Sequence, residues 1–332
     1  MKKILMIGTG GTIASARTDA GLSPLVSTEE LLECIPAVRK ICKVDTLQLF
    51  NIDSTDVHPK HWELLANTVK ENYKSYDGFV ICHGTDTLAY TAAALSYLIQ
   101  NSPKPIVLTG SQKPMGMEVT DAKTNLLDSF IYASYSKAGR VQVVFNGKVI
   151  LGTRARKVKT KSFDAFESVN YPYLAQIRDG QIFDYIHFKK AEVKFYNKVD
   201  SKVGMLKLIP GIDAELFAFY FEKYDAIILE SYGVGGIPAG EYYKIHNEIQ
   251  KWMDKNKTIV MTTQVANEGS NMEVYEVGYG SKIDYNIIEA YDMTTEACVA
   301  KMMWILGQTK EPEKIKEMFY TSISRDILYD AK

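Results

Sequence analysis

Ile4-Leu5-Met6-Ile7-Gly8-Thr9-Gly10-Gly11-Thr12-Ile13-Ala14-Ser15 decides the fold class. Four consecutive apolar side chains predict a short strand buried on both faces, the habit of a parallel sheet. The run stops at a Gly/Thr turn, where glycine permits tight backbone and close approach of a ligand to the main chain. In open α/β sheets, ligands bind beyond the carboxyl ends of the strands. The Thr12 hydroxyl is therefore expected where such folds do their chemistry. Taken alone, an ordinary strand-to-loop turn would look the same. A dinucleotide fingerprint, G-x-G-x-x-G, fits worse: Gly8 and Gly10 fill two places, but Ile13 occupies the third, where close helix packing needs glycine.

The same rhythm recurs downstream. Residues 45–52 read as a strand ending in Asp53-Ser54-Thr55-Asp56, residues 79–82 as a strand ending in His83-Gly84-Thr85-Asp86-Thr87, and residues 105–108 as one ending in Thr109-Gly110-Ser111. Helices are predicted between them: one starting at Ser27 with Glu30 as the capping-box partner, one over 59–74, and one over 88–99. Strand, polar loop and helix in alternation give βαβ units and a mostly parallel sheet flanked by helices. Right-handed crossovers place all these strand ends on one edge, so Thr12, Ser54, Thr85, Asp86 and Ser111 should converge. Asn146-Gly147 between two apolar runs predicts a hairpin. Residues 18–26, rich in Gly, Pro and Ser, read as a mobile loop.

The second half repeats the pattern at 226–229 and 258–261, with a late helix over 294–306. A charged stretch precedes it. The expected organisation is a larger N-terminal catalytic α/β domain over 1–185, a linker over 186–204, and a smaller C-terminal α/β domain over 205–332.

Composition agrees. The chain has 332 residues, 46% of them hydrophobic, enough for two cores, and a net charge of −1 that offers no global field for nucleic acid or anionic membrane. No apolar run approaches the ~18 residues a spanning helix needs. The apolar run near Met1 is too short for a signal peptide, and no cleavage site follows. The four cysteines form no C-x-x-C pair and match no zinc spacing, so reduced thiols are expected. These features predict a soluble cytoplasmic protein with no nucleic-acid or membrane partner.

A hydroxyl beside a carboxylate, as in Thr85-Asp86, could be a helix cap or part of a reaction centre. A neutral hydroxyl is a poor nucleophile without a base or a charge network. Lys157, in the basic run 154–161, could supply one: a desolvated lysine paired with Asp86 could relay a threonine proton. Of the five histidines only His83 sits in a motif, and it reads as a hydrogen-bonded histidine packed near the sheet.

Thr9-Gly10-Gly11-Thr12-Ile13-Ala14 and His83-Gly84-Thr85-Asp86-Thr87 resemble the two signatures of bacterial-type L-asparaginases. Ser54, Thr109-Gly110-Ser111, the segment around Lys157 and Glu230-Ser231-Tyr232-Gly233-Val234-Gly235 extend the resemblance over nearly the whole chain, and it is most similar to the cytoplasmic type I branch. The resemblance implies hydrolysis of L-asparagine to L-aspartate and ammonia, with no cofactor and no metal, in a homodimer or homotetramer; the alternatives are a glutaminase or glutamine-dependent amidotransferase subunit, or a non-catalytic amino-acid sensor using the same cleft. Thr12 would be the nucleophile. Thr85, Asp86 and Lys157 would form a charge-linked second hydroxyl. Asp86 would bind the α-ammonium, Ser54 the α-carboxylate with Asp53 in the same pocket, and the Ser111 carbonyl the leaving amide. Two departures stand out. The family often has a tyrosine where this chain has Leu22, so Leu22 is expected to cover the site as part of a lid. Lys159 lies close to Lys157; the following Ser162-Phe163-Asp164-Ala165-Phe166 aligns Lys157 with the family lysine.

Overall fold

The computed structural model describes residues 1–328 except 19, 20, 136, 190, 241, 254 and 256, and excludes the side chains of residues 16–24, 253 and 277. The chain divides into two compact units, Met1–Asn197 and Lys198–Lys332.

In the first unit the opening apolar run forms β1 (Lys3–Gly10), whose Ile4, Leu5, Met6 and Ile7 are all buried. A hairpin follows, β2 (Ser15–Thr18) and β3 (Gly21–Pro24), paired antiparallel from Ser15↔Pro24 to Thr18↔Gly21. This corrects the expected loop over 18–26. Gly, Pro and Ser argue against a central strand, but a two-stranded ribbon leaves one edge of each strand unpaired and tolerates them. Helix α1 (Thr28–Glu33) begins with the capping box: Glu30 N–H donates to Ser27 Oγ, and Ser27 N–H donates to Glu30 Oε2 at 2.7 Å. Next come β4 (Lys43–Ile52), α2 (Pro59–Asn72), β5 (Gly78–Cys82), α3 (Leu88–Leu98), the short β6 (Ile99–Gln100), β7 (Pro105–Thr109) and α4 (Ala122–Ala133).

Asn146 and Gly147, with φ of 48° and 69°, supply the left-handed turn between β8 (Arg140–Phe145) and β9 (Lys148–Leu151), as the hairpin signal predicts. The unit is completed by β10 (Ala155–Lys157), β11 (Phe166–Ser168), β12 (Ala175–Arg178), β13 (Gln181–Asp184) and β14 (Lys194–Phe195), the last pairing with β6. The main sheet has the order β13-β12-β9-β8-β7-β5-β1-β4. Strands β4, β1, β5, β7 and β8 run parallel. From β1 the chain crosses to β4 on one side and returns to β5 on the other. The β1/β5 boundary is therefore a topological switch point, where the crossovers diverge and leave a crevice at the carboxyl ends.

The second unit is a smaller parallel sheet of β15 (Val203–Lys207), β16 (Ala226–Ser231), β17 (Thr258–Thr263) and β18 (Ile288–Glu289), in that order. Helices α5 (Glu215–Lys223), α6 (Ile245–Met253) and α7 (Glu276–Asp284) connect successive strands, and α8 (Thr295–Gln308) and α9 (Pro312–Tyr320) follow. Its core is Phe217, Phe221, Ile227, Ile245, Ile249, Ile259 and Met261. Among the described residues, no helix is long and apolar enough to cross a membrane.

Candidate active site

Thr12 opens a 3-10 turn immediately after β1, and it is half-buried. Gly11 before it has φ 79°, a conformation that disfavours side chains. A Cβ there would also stand 2.3 Å from the Cα of Gly84, so the loops after β1 and β5 touch backbone to backbone. A Cβ on Gly84 would meet Ser54 Oγ at 2.6 Å, and one on Gly110 would lie 3.4 Å from the Thr85 methyl. These contacts bring the loops of Thr12, Ser54, Thr85 and Ser111 to one end of the sheet. Ser54, Thr85 and Ser111 are all buried. Thr87 Oγ1 donates to the Ser54 carbonyl at 2.7 Å, fastening the β4 and β5 loops together.

Lys157, the last residue of β10, reaches this cluster. Its Nζ donates to Thr85 Oγ1 at 2.7 Å and to Asp86 Oδ1 at 2.6 Å. The lysine is 16% exposed and the aspartate 57%. Strand β11 holds it in place through the Lys157↔Phe166 pairing, with Phe166 in the core. Lys159 does not compete: its ammonium pairs with Asp164 at 3.0 Å, and Asp164 also takes Lys148. Those cations hold the Asp164 carboxyl well down, at about 2. Nor does Thr85-Asp86 cap α3; the N-cap is Thr87, and it makes no side-chain capping bond.

His83 is fully buried, with Nδ1 against the Gly84 carbonyl at 2.8 Å and Nε2 against Thr91 Oγ1 at 3.0 Å. The carbonyl can only accept, so Nδ1 carries the proton; Thr91 donates to Nε2 and accepts from Trp62 Nε1 at 3.1 Å. Burial pushes the imidazole down to about 4. It is a neutral structural histidine, as its sequence context suggests.

Asp53 is exposed and caps the turn it opens, accepting from Thr55 N and Thr55 Oγ1, both at 2.8 Å. The backbone of Leu22 pairs with Arg17 in the β2–β3 hairpin, and its side chain lies outside the described residues. Gln112 is a residue that sequence reasoning misses: its Oε1 accepts from Thr85 Oγ1 at 3.3 Å. No motif marks it, because the contact spans 27 residues. Among the described residues no group of three or more His, Cys, Asp or Glu could hold a metal ion. Four cavities of about 260 to about 600 Å3 open elsewhere, none lined by Thr12, Thr85 or Lys157.

A lysine bridging a buried hydroxyl and a carboxylate, beside a second hydroxyl at a switch point, can bind a zwitterion and shuttle a proton. Known proteins are similar to this chain in sequence and in fold. Residues 3–189 match the family described as asparaginase, N-terminal, and residues 202–319 the glutaminase/asparaginase C-terminal domain. An L-asparaginase from Thermococcus kodakarensis is 38% identical over 98% of this chain and 99% of that protein. A glutamyl-tRNA(Gln) amidotransferase component from Pyrococcus abyssi is 35% identical over 98% of this chain and 77% of its own length. Among solved structures, the thermostable L-asparaginase of Thermococcus kodakarensis superposes with a TM-score of 0.92 at 36% identity, covering 99% and 100% of the two chains. L-asparaginase I of Vibrio cholerae gives 0.86 at 29% identity over 99% of each chain. With both halves matched over their length, this chain belongs to the asparaginase/glutaminase family.

Proposed function

We propose that this protein hydrolyses the side-chain amide of L-asparagine, giving L-aspartate and ammonia. The observation that carries the reading is the Lys157 ammonium held at once by Thr85 Oγ1 and Asp86 Oδ1. In it Thr12 is the nucleophile. During attack Thr85 accepts the Thr12 proton as it passes its own on to the departing amide nitrogen, and Lys157 and Asp86 set the charge around it. The exposed oxygen of Asp86 receives the substrate α-ammonium and Ser54 its α-carboxylate, which fixes the amide carbon over Thr12. A backbone N–H beside Thr85 stabilises the oxyanion, and the Ser111 carbonyl receives the leaving amide. The Asp53 carboxylate, one oxygen of which caps Thr55, has its other oxygen to offer the same pocket.

Glutamine is the second candidate substrate, favoured by the amidotransferase relatives and by the glutaminase name of the C-terminal match. The test is ammonia release by the purified protein from asparagine and from glutamine. Faster release from asparagine, by tenfold or more in kcat/KM (about 1.4 kcal/mol), supports the reading. Equal or faster release from glutamine replaces it with a glutaminase, and release from neither removes it.

A further inference from the structure

We propose that Gln112 is a positioning residue that sets the direction of the Thr85 hydroxyl and ties it to the loop that follows Lys157. The proposal rests on the hydrolase reading above. Gln112 lies just beyond β7, with its backbone clamped. Its N–H donates to both Asp121 oxygens, at 2.9 and 3.1 Å, and the N–H of Lys113 joins at 3.1 Å. Asp121 is buried and is held in turn by Asn125 Nδ2 at 3.1 Å, the same nitrogen that donates to the Gly110 carbonyl at 3.0 Å.

The side-chain amide has one available orientation. Nε2 faces two carbonyl oxygens, Lys159 O at 3.3 Å and Ser162 O at 3.2 Å. Both can only accept, so the NH2 group must point there and Oε1 must face Thr85. A flipped amide would set an oxygen against two oxygens. The consequence falls on Thr85. Its oxygen already accepts from the Lys157 ammonium, and a hydroxyl carries a single proton. That proton is directed to Gln112 Oε1, which leaves a lone pair of Thr85 for an incoming donor. One side chain thus fixes a rotor that χ1 does not control and pins the loop between β10 and β11 beside it. Such a residue works through Thr85.

Three proteins separate this role from a merely structural one: wild type, Gln112→Leu and Gln112→Glu. Steady-state kinetics on asparagine from about pH 4.5 to 9 and trypsin cleavage at Lys159 and Lys161 are measured for each. Gln112→Leu should lower kcat about tenfold and change KM less than about threefold, and its loop should be cut faster. Gln112→Glu should be as poor at neutral pH, because an ionised carboxylate faces two carbonyls. Below about pH 5 it gains a proton and can accept from Thr85 while donating to one carbonyl. Its kcat relative to wild type should therefore climb as pH falls. Wild-type kcat and cleavage in Gln112→Leu, or a ratio for Gln112→Glu that is flat with pH, overturn the proposal. If wild type releases no ammonia from asparagine or glutamine, the hydrolase reading fails instead. Faster cleavage of Gln112→Leu would then still support the loop tether, and unchanged cleavage would overturn it.

Discussion

Each unit contains a lysine–aspartate pair at almost the same distance, and the two make opposite use of it. Lys157–Asp86 closes at 2.6 Å with the aspartate 57% exposed; Lys301–Asp326 closes at 2.7 Å with both side chains fully buried. In the second unit the pair is sealed by its neighbours. Lys301 Nζ also donates to the Thr321 carbonyl, and Asp326 accepts the Ile323 N–H, so the pair binds the segment after α9 to α8. In the first unit the lysine spends its second bond on a threonine hydroxyl and leaves a carboxylate oxygen open. A half-exposed pair adds little stability. A buried one is costly to break from one side, because the remaining charge has nowhere to go. Length does not separate chemistry from architecture here; the unused bonding capacity around the pair does.

The contrast breaks most sharply at the hydroxyls. Thr12→Ala and Thr85→Val should each cut kcat by on the order of a thousandfold or more while the unfolding midpoint stays near wild type. Either variant within about tenfold of wild-type kcat would remove that threonine from the chemistry. On the sealed side, Lys301→Met should cost about 3–5 kcal/mol of stability in urea titration and leave kcat per folded molecule unchanged. A loss of kcat without a loss of stability would mean that the two pairs are not separate in role.

A smaller effect is expected at Leu22. If this side chain covers the site, Leu22→Ala should lose roughly ten- to a hundredfold in kcat/KM, about 1.4 to 2.7 kcal/mol, and Leu22→Ser should do no better. A serine variant clearly above alanine would show that a hydroxyl, not a cover, is what the position lacks.

An effect of similar size, on stability alone, concerns acid. His83 has its folded pKa lowered to about 4 from 6.5, so the stability it contributes above 6.5 is lost as pH falls toward 4. Asp128, buried on α4, is raised to about 6 from 3.8, so its contribution is present below 3.8 and lost as pH rises through 6. Between pH 6 and 4 the two slopes oppose. Asp128→Asn removes one of them, and its unfolding free energy should fall more steeply than wild type on acidification, by on the order of 2 kcal/mol across the window. Parallel slopes would show that burial does not hold the Asp128 proton.

The parallel sheet and the strand ends that carry the site are legible because Ile4–Ile7, Phe79–Cys82 and Pro105–Leu108 are short apolar runs stopped by glycine and hydroxyl residues, a local signal; the strand order that makes the switch point is not. The choice of Lys157 over Lys159 draws on the segment that follows them, and in the fold β11 fixes which of the two faces Thr85. What cannot be read are contacts closed by the fold. Gln112 meets Thr85 across 27 residues and the Lys159 and Ser162 carbonyls across 47 and 50. The β2–β3 ribbon is hidden by turn-forming composition, and the capping bond of Asp53 by the expectation that every polar residue at a strand end faces the cleft.

The role of the Lys157 bridge is tested most directly by comparing Lys157→Met with Lys159→Met in ammonia release from asparagine. The two lysines are neighbours on one segment, both paired with an aspartate, at 2.6 and 3.0 Å. Lys157→Met should lose kcat by on the order of a thousandfold, and Lys159→Met should stay within about tenfold of wild type. The reverse ranking, or equal mild losses, would contradict the claim that the Lys157 bridge between Thr85 and Asp86 carries the chemistry.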